Sequence, residues 1–567
     1  MTNYDYVIIG AGMGGLTVGS LLANAGARVA VVEAHEYPGG CCHTFPMGDY
    51  KFCAAVHYIF SCGEGEPVYN LLRKLGLHET ITFERLDPEG YDHFSCPSAN
   101  LRFRIPNGLG KWCERLCDRF PGEAQQIRKF FAVVQALSVQ LRRLPDHLTP
   151  IEVVKAVAHV PHVLRYRKHT LQQLFDKLEL SPPVRAILST QLGDVGLPPQ
   201  QVSLLIYCAL ISSYSAGAYY PTEHFSSFVD AIARVVSDAP GCDILYEAPV
   251  TAARVDNGRV TAVVTEDGRE LRADRFICNS DPQWFVSMVG REHFGPSFLR
   301  KVDYDYSASS FSVYLGVKGI DLRDHGFGNW NMWHYPSLDI NAAYAAQHDR
   351  DDLSDPWLFM STPTLCSPAA TTRHTPEGEQ ILELITTCGF EPFEHRRNRS
   401  ERGRRVYTKR KVEIRDRMID SVEANYVPNL REHLSIRVAG TPTTNKRYLW
   451  APLGNIYGSA LTPANVDAGR LKSRSSIENL FFTGASAAFP SIGGTVSRGE
   501  SLYTELTGDP VNPAWDRRRT AWTASPGGND SASDLCQSLH SAAAVRAHFV
   551  QLAAMPRPYV RISRISR

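Results

Sequence analysis

A glycine-rich turn between two short apolar strands constrains the fold of this chain more than any other sequence feature. Residues 6–9 form an apolar, β-branched run typical of a strand that is buried on both faces. They lead into the sequence GAGMGG at residues 10–15 and then into a helical stretch at residues 16–24. A second apolar run at residues 28–32 ends at Glu33. This order predicts a βαβ unit of the dinucleotide-binding type.

Each glycine of the turn has a physical role in such a unit. Gly10 allows the tight turn, and Gly12 lets the backbone approach a pyrophosphate without an intervening Cβ. Gly15 lets the helix pack closely against the strand. The phosphates are expected to lie on the amide groups around Met13 and Gly14, where the helix dipole favours negative charge.

The residues after the second strand favour FAD over a nicotinamide cofactor. Glu33 is placed to accept hydrogen bonds from the adenosine ribose, with Ala34 beside it, and its charge would repel the 2′-phosphate of NADP. The pair Gly39-Gly40 and the following Cys41 resemble the second cofactor-binding element of large flavoproteins, where the chain returns along the pyrophosphate and ribityl chain. The cofactor predicted from these residues is therefore FAD.

Several segments together resemble one family of flavoproteins. Residues 39–45 (GGCCHTF) and 56–59 (VHYI) are similar to the phytoene desaturase, carotenoid isomerase and retinol saturase family. Residues 218–232, 441–458 and 479–494 resemble three further segments of that family. The resemblance extends from about residue 4 to about residue 508.

This resemblance implies a fold, a cofactor and a class of substrate. The implied fold is α/β: a Rossmann-type FAD-binding domain of the glutathione reductase-like, two-dinucleotide-fold kind, with an interleaved α+β substrate domain. The implied chemistry is hydride transfer at flavin N5 to or from a long lipophilic polyene, isoprenoid or acyl-type chain, by desaturation, saturation or isomerisation. Further cofactor contacts are implied at Val250, through its backbone, and at Gly484, Ala485, Gly493, Gly494 and Thr495.

The chain also departs from the family pattern at three places expected to lie near the flavin. Residues 52–55 (FCAA) replace a segment that usually contains an acid and a glycine, and residues 222–225 (TEHF) replace a glycine pair. Ala485-Ser486 follow Gly484 where an acid is common. These departures leave open a substrate or a reaction different from those of the named relatives.

Three residues are candidates for the transfer of a proton during catalysis. His57 lies in a segment expected to run along the flavin, although a hydrogen-bonded core histidine is the alternative interpretation. Glu223 and His224 replace small residues that would abut the isoalloxazine, and an exposed turn with incidental charges is their alternative interpretation. Aromatic residues at positions 311, 314, 327, 330 and 333–335 are candidates for a tunnel wall or for ordinary core packing.

The two cofactor motifs lie far apart in the chain, so the FAD-binding domain is predicted to be discontinuous. Its segments are residues 1–90, 216–300 and 441–510, including a meander of short strands between residues 242 and 278. Residues 91–215 and 301–440 are assigned to the substrate domain, the first of them as a helical cap. Residues 511–567 are predicted to form a loosely attached tail.

Composition excludes several other functions. The net charge of +1 argues against a nucleic-acid partner, and the thirteen cysteines contain no CxxC pair, so no metal site is expected. Neither a signal peptide nor an apolar stretch of about 18 residues is present, which predicts a cytoplasmic protein. The basic run at residues 396–411 would allow contact with a membrane surface, although a solvated helix is its commoner interpretation. The oligomeric state is left open.

Two alternative functions remain at this stage. One is a flavin-dependent amine or alcohol oxidase of a biosynthetic pathway. The other is a non-enzymatic prenyl-binding protein of the GDP-dissociation-inhibitor type. The intact glycine motifs at residues 39–40 and 484 argue against the second, because such a protein has no need of a flavin pocket.

Overall fold

A computed structural model describes residues 3–143, 160–367, 374–396, 401–466 and 469–512. All but the first two residues of the predicted tail lie outside this range. The strands, numbered in chain order, are β1 Asn3–Ile9, β2 Val29–Val32, β3 Thr44–Met47, β4 Tyr50–Cys53, β5 Phe83–Arg85, β6 Asp92–Cys96, β7 Leu101–Ile105, β8 Tyr219–Pro221, β9 Asp243–Leu245, β10 Val250–Asp256, β11 Arg259–Thr265, β12 Glu270–Cys278, β13 Ser309–Val317, β14 Asn331–His334, β15 Leu358–Ser361, β16 Gln380–Cys388, β17 Leu434–Gly440 and β18 Leu480–Phe482.

The first of two large sheets contains the N-terminal βαβ unit. Its order is β10-β11-β12-β1-β2-β9, and β18 also pairs with β12. The pairs that β1 makes with β2 and β12 are parallel, as are β2 with β9 and β12 with β18. The carboxyl ends of β1, β2 and β12 therefore meet at one edge, which is where parallel α/β sheets bind their ligands. The predicted fold class is confirmed.

The second sheet is built mainly from later parts of the chain. Its order is β17-β13-β16-β15-β14-β6-β7. Most of its pairs are antiparallel, and β14 with β6 is the parallel exception. Its adjacent strands β13 and β16 come from residues 301–440, which the sequence assigned to the substrate domain. The domain boundaries themselves stay a prediction.

Helices cover both sheets. They are α1 Met13–Asn24, α2 Pro67–Lys74, α3 Leu109–Arg119, α4 Ala124–Arg143, α5 Pro161–Tyr166, α6 Leu171–Lys177, α7 Pro182–Leu188, α8 Leu204–Ala216, α9 Phe225–Ser237, α10 Pro282–Val289, α11 Pro296–Val302, α12 Ile340–Asp349, α13 Pro363–Cys366, α14 Glu391–Arg396, α15 Glu401–Asn425, α16 Pro442–Tyr448 and α17 Ile492–Thr507. The helix predicted at residues 16–24 is α1, which packs between α9 and α17. The described part of residues 109–215 is largely helical, as its periodicity predicted.

The described residues also bear on membrane, metal and disulfide chemistry. Among their helices, none combines the length and the hydropathy needed to span a bilayer. No cluster of His, Cys, Asp or Glu within the described ranges could hold a metal ion. Every cysteine in these ranges is a free thiol, and most are buried.

Candidate active site

A cavity of about 620 Å³ connects the glycine-rich turn with the second sheet. One end is lined by the turn, by Glu33 and by Val250 of the first sheet. The other is lined by aromatic and apolar side chains, including Trp333 and Phe359 of the second sheet. The segments at residues 39–43, 55–60 and 484–493 contribute to the wall between these ends. The cavity thus combines a lining of glycine backbone and Glu33 with an aromatic lining, which suits a dinucleotide with an adjacent apolar ligand.

The glycine-rich turn presents bare backbone to the cavity. Gly10 has φ 101°, a left-handed conformation that glycine adopts without strain. A Cβ at Gly12 would lie 2.9 Å from Asn279 Nδ2, and a Cβ at Gly15 would lie 2.3 Å from the Gly10 carbonyl oxygen. Helix α1 starts after Gly12 without a side-chain cap, so its first amides remain for a ligand. This arrangement suits the phosphates of a dinucleotide.

Glu33 ends β2 inside the cavity and is fixed by backbone amides. Its Oε2 accepts a hydrogen bond from Ala11 N at 2.6 Å, and its Oε1 accepts one from His35 N at 2.8 Å. Burial raises the pKa of Glu33, and these hydrogen bonds oppose the rise. The carboxyl group is thereby held rigidly at the place expected for an adenosine ribose.

Asn279, at the end of β12, links the two cofactor motifs and was missed by the sequence analysis. Its Nδ2 donates to the Gly10 carbonyl oxygen at 3.2 Å. A Cβ at Gly14 would lie 2.7 Å from Asn279 Oδ1, and one at Gly484 would lie 3.0 Å from the same atom. Asn279 also lines the cavity. A single asparagine after a strand carries no sequence signal, so only the fold reveals this role.

The residues predicted to bind the cofactor converge on this cavity, with two exceptions. Gly15 and Gly494 stand behind the lining, where a Cβ would strike backbone carbonyl oxygens at 2.3 Å. Gly494 N donates to Ser491 Oγ, the N-cap of helix α17. The predicted residues that line the cavity are Gly10, Gly12, Met13, Gly14, Glu33, Ala34, Gly39, Gly40, Cys41, Val250, Gly484, Ala485, Gly493 and Thr495.

His57 lines the cavity and forms a buried pair with Glu383 of the second sheet. The distance from His57 Nδ1 to Glu383 Oε2 is 2.6 Å. Both side chains are buried, at 7% and 0% exposure. His57 Nε2 has no hydrogen-bond partner within the described part of the chain. The imidazole is therefore oriented on one side and open to exchange a proton on the other.

The structure places Glu223 and His224 away from the cavity lining, in contrast to the sequence expectation. His224 precedes helix α9 and caps it, since its Nδ1 accepts from Ser226 N at 3.5 Å. Its ring lies 4.1 Å from the ring of His374, and burial lowers its pKa to about 3. Glu223 lies beside it, and its carbonyl oxygen faces His374 Nε2 at 3.3 Å. The residues replace a glycine pair in a turn that the cavity does not reach.

Only part of the predicted aromatic wall lines the cavity. Trp333 does so, whereas Phe311 and Phe327 pack in the core of the second sheet. The remaining aromatic positions named from the sequence are also absent from the lining. The aromatic chamber, which we define as the aromatic end of the cavity, instead consists of Tyr58, Tyr214, Trp333, Trp357, Phe359 and Tyr457.

These residues fit FAD. The cradle made by Gly12 and Gly14 would be closed by any side chain, and uncapped amides face it. Asn279 Oδ1 and Thr483 Oγ1 are buried at the same place without partners in the described residues. Such orphaned polar atoms are costly unless a ligand satisfies them.

Comparison with known proteins agrees with this assignment. The NAD(P)-binding Rossmann-like domain family matches residues 8–75. All-trans-retinol 13,14-reductase of Danio rerio is 24% identical over 505 residues, covering 85% of this chain and 82% of the relative. Chloroplastic prolycopene isomerase of Daucus carota is 24% identical over 466 residues, covering 79% of this chain and 70% of the relative.

A solved structure shows the same fold. Cyclohexylamine oxidase from Brevibacterium oxydans IH-35A superposes with a TM-score of 0.57 at 17% identity, covering 89% of this chain and 99% of that chain. This likeness concerns the fold alone. The long sequence matches, the Rossmann domain and the cofactor cradle support the resemblance to the phytoene desaturase, carotenoid isomerase and retinol saturase family. The chain is an FAD-dependent oxidoreductase that is similar over most of its length to all-trans-retinol 13,14-reductase and to prolycopene isomerase.

Proposed function

We propose that this enzyme transfers a hydride between bound FAD and a carbon–carbon bond of a long polyene or isoprenoid chain. The observation that carries the proposal is the continuity of one cavity, from the phosphate cradle at Gly12 to the aromatic chamber. Relatives that match most of the chain are named for retinol and for prolycopene, which are both polyenes. An aromatic cavity excludes water and suits a substrate of this kind.

The protein positions the reacting groups. Bound FAD supplies a hydride acceptor or donor. The cradle around Gly12 and Gly14 would hold its pyrophosphate, and Glu33 would hold its adenosine ribose. Trp333 and Phe359 line the cavity, where they would contact an apolar chain and keep water from the reacting carbon atoms. Orientation and exclusion of water are the main contributions such a site makes.

His57 is the proton-transferring residue in this proposal. With Glu383 accepting the hydrogen bond from Nδ1–H, the free Nε2 can remove a proton from a substrate carbon during desaturation. The same Nε2, when protonated, can deliver one during saturation. The geometry is compatible with both directions, and the direction is set by the redox state of the flavin and by the substrate.

The first experiment measures the cofactor and then the reaction. Protein is purified, and the released flavin is compared with FAD and FMN standards. The FAD-loaded protein is then mixed anaerobically with all-trans-retinol or prolycopene, with the flavin oxidised in one series and chemically reduced in another. We expect FAD, and a change in flavin absorbance or isomer composition that requires the polyene.

The His57→Asn variant is the matched test of mechanism in that experiment. It should retain FAD and lose turnover by about 10²-fold or more, the usual contribution of a general acid or base. Absence of FAD after reconstitution would overturn the proposal. Hydrogen peroxide release with amines or alcohols, in the absence of any polyene reaction, would instead support the oxidase alternative.

The location of the enzyme is a further part of the proposal. Helix α15 exposes Arg402, Arg404, Arg405 and Lys409 on its first turns. Acidic neighbours reduce this charge, since Glu401 pairs with Arg405 and Glu413 lies 3.9 Å from Lys409. We place the protein in the cytoplasm, with this face able to meet an anionic membrane surface. Co-sedimentation with phosphatidylserine vesicles, against neutral vesicles, tests this placement.

A further inference from the structure

Two carboxyl groups share one tyrosine hydroxyl beside the aromatic chamber. Asp194 ends a short 3-10 helix, Thr190–Asp194, and lines the cavity. Asp92, on β6, is completely buried behind it. Tyr58 Oη lies 2.6 Å from Asp194 Oδ2 and 3.2 Å from Asp92 Oδ2. Proton transfer by His57 uses neither carboxyl group.

The hydrogen-bond donors around the two carboxyl groups are neutral side chains. Neither Asp92 nor Asp194 forms an ion pair with a cationic side chain in the described ranges. A tyrosine hydroxyl has one proton, so it cannot donate to both carboxyl groups at once. A proton on one carboxyl group satisfies both contacts. Burial raises the pKa of Asp92 to about 6, and it raises that of Asp194 well above its usual value.

The two carboxyl groups differ in what surrounds them. Asp92 is satisfied by protein, because Gln191 Nε2 donates to it at 2.8 Å and Asn331 Nδ2 at 3.1 Å. Asp194 accepts hydrogen bonds from the hydroxyl groups of Tyr58 and Tyr214, and it is partly exposed at the wall of the cavity. The contacts of Asp92 are those of a structural residue. Asp194, in contrast, presents a polar group to an otherwise aromatic chamber.

The position of Asp194 is fixed by tight packing. A Cβ at Gly193 would lie 2.5 Å from Trp333 Cζ3 and 2.7 Å from Trp357 Cη2, so the chain passes against both indoles. The Gly193 carbonyl oxygen accepts a hydrogen bond from Tyr457 Oη at 2.8 Å. Tyr58 stacks on Tyr214 with ring centroids 4.4 Å apart. The carboxyl group is thus held rigidly, as a specificity element must be.

We propose that Asp194 and Tyr58 form a polar subsite that binds the hydroxyl group of an otherwise apolar substrate, and so select isoprenoid alcohols over the corresponding hydrocarbons. This inference rests on the proposed function and names its substrate class. A hydroxyl group both donates and accepts, which matches a protonated carboxyl group that also does both. An ammonium group would require an ionised Asp194, which the neighbouring Asp92 and the aromatic surroundings disfavour.

The test compares two ligands of one carbon skeleton. All-trans-retinol and the hydrocarbon with a methyl group in place of its hydroxymethyl group are titrated into the FAD-loaded protein in the dark. Quenching of tryptophan fluorescence gives the dissociation constants. We expect the alcohol to bind about tenfold or more tightly, since a buried polar site left unpaired disfavours the analogue.

Variants then assign that preference to the subsite. Asp194→Ala should reduce it to less than about twofold while leaving the hydrocarbon affinity unchanged. Asp194→Asn, which still donates and accepts, should keep most of it. Tyr58→Phe retains the stacked ring and should also lose the preference, which provides a second test if Asp194→Ala is unstable. Asp118→Ala, at an exposed position of helix α3, is the control for a lost carboxyl group.

The possible results separate this inference from the proposed function. Equal binding of both ligands by the native protein, or an unchanged preference in Asp194→Ala and Tyr58→Phe, would overturn the subsite and leave flavin chemistry on polyenes intact. Preferential binding of cyclohexylamine that depends on Asp194 would overturn it in favour of an ammonium site. Absence of binding by either polyene, together with absence of FAD, would remove the proposed function itself.

Discussion

Glu383 Oε2 lies 2.6 Å from His57 Nδ1, and the two residues come from distant parts of the chain that meet beside the aromatic chamber. Glu383 is on β16, opposite Tyr314 of β13 and Ser361 of β15. Its carboxylate favours the imidazole tautomer with the proton on Nδ1, which leaves Nε2 as the acceptor. In the proposed mechanism, Glu383 therefore acts through His57 as a positioning residue.

We predict that Glu383→Gln lowers turnover by about 10²-fold, since an amide can hold the imidazole in the wrong tautomer. KM for the polyene and the FAD content should be unchanged. The pH dependence of turnover should also shift, because the charge beside His57 is lost. Steady-state kinetics between pH 5 and pH 9, at full FAD occupancy, measure all three quantities.

Glu379→Gln is the control for this change. Glu379 directly precedes β16 and contacts Tyr50 and Ser435 rather than the cavity. It should keep the native pH profile. A Glu383→Gln enzyme that loses stability but keeps its turnover and pH profile would show that the pair serves folding alone.

Gly14→Ala should abolish tight FAD binding. The added Cβ would lie 2.7 Å from Asn279 Oδ1 and 3.0 Å from Gly484 N, two groups that line the cradle. Both sides of the phosphate cradle would have to move, so we expect FAD affinity to fall at least about tenfold. Flavin fluorescence during titration of the apoprotein gives the dissociation constant.

Gly110→Ala supplies the comparison. This glycine lies in helix α3, and a Cβ there meets nothing within 4 Å. It should bind FAD normally and raise the free energy of unfolding by about 0.5 kcal/mol, through lower entropy of the unfolded chain. Equal FAD affinity in the two variants would argue against a cradle that needs bare backbone at Gly14.

The nucleotide-binding end of the site could be predicted from sequence because its determinants are local. One βαβ unit contains the turn at residues 10–15, the strand before it and Glu33 after it. Each glycine of the turn is required by the backbone conformation or by close packing. The same holds for the meander of short strands predicted between residues 242 and 278, which the structure forms as β9 to β12. Alternating apolar residues and turn glycines define such strands without tertiary information.

The end of the site that contains His57 and the aromatic chamber could not be predicted in the same way. His57 and Glu383 are 326 residues apart, and their contact depends on how the second sheet packs against the segment after β4. Asp92 and Asp194 meet only because β6 and the helix before Val195 converge on Tyr58. No periodicity or spacing in the sequence connects these residues. The sequence could therefore identify His57 as a candidate, but it could not identify Glu383 as the partner of His57.

The structure places Glu223 and His224 outside the cavity lining, in which the sequence led us to expect them. The resemblance indicated a glycine pair there, so two titratable groups looked significant. His224 has φ 88°, a conformation that favours glycine, and its ring fills buried space beside His374 instead of meeting the cavity. This backbone conformation is consistent with the glycine that the resemblance indicates at this turn. In this chain, the His224 side chain caps the helix that follows.

We accordingly expect Glu223→Gln to leave turnover within about twofold of the native value, because its side chain lies outside the cavity lining. His224→Asn should likewise keep turnover within about twofold of the native value, because asparagine can also cap a helix and tolerates positive φ. Any cost should appear in the unfolding midpoint, through lost packing of the buried ring. Turnover reduced by about a hundredfold in either variant, at full FAD occupancy, would make these residues catalytic candidates again.

The buried His334 predicts how stability depends on pH. Its Nδ1 lies 2.9 Å from Tyr426 Oη, its exposure is 2%, and burial lowers its pKa from 6.5 to about 4. Between these values the unfolded chain binds a proton that the folded protein does not. Stability from His334 is therefore present above pH 6.5 and is lost as the pH falls towards 4.

His334→Gln removes this titration while leaving a side chain that can bond Tyr426. The free energy of unfolding of the native protein should fall relative to the variant by up to about 1.4 kcal/mol per pH unit in that window. Groups that titrate in both proteins cancel in the difference, so urea unfolding at pH 7, 6, 5 and 4.5 isolates the contribution. Parallel stability profiles would mean that His334 is protonated in the folded protein at its ordinary pKa, and that its surroundings admit the charge.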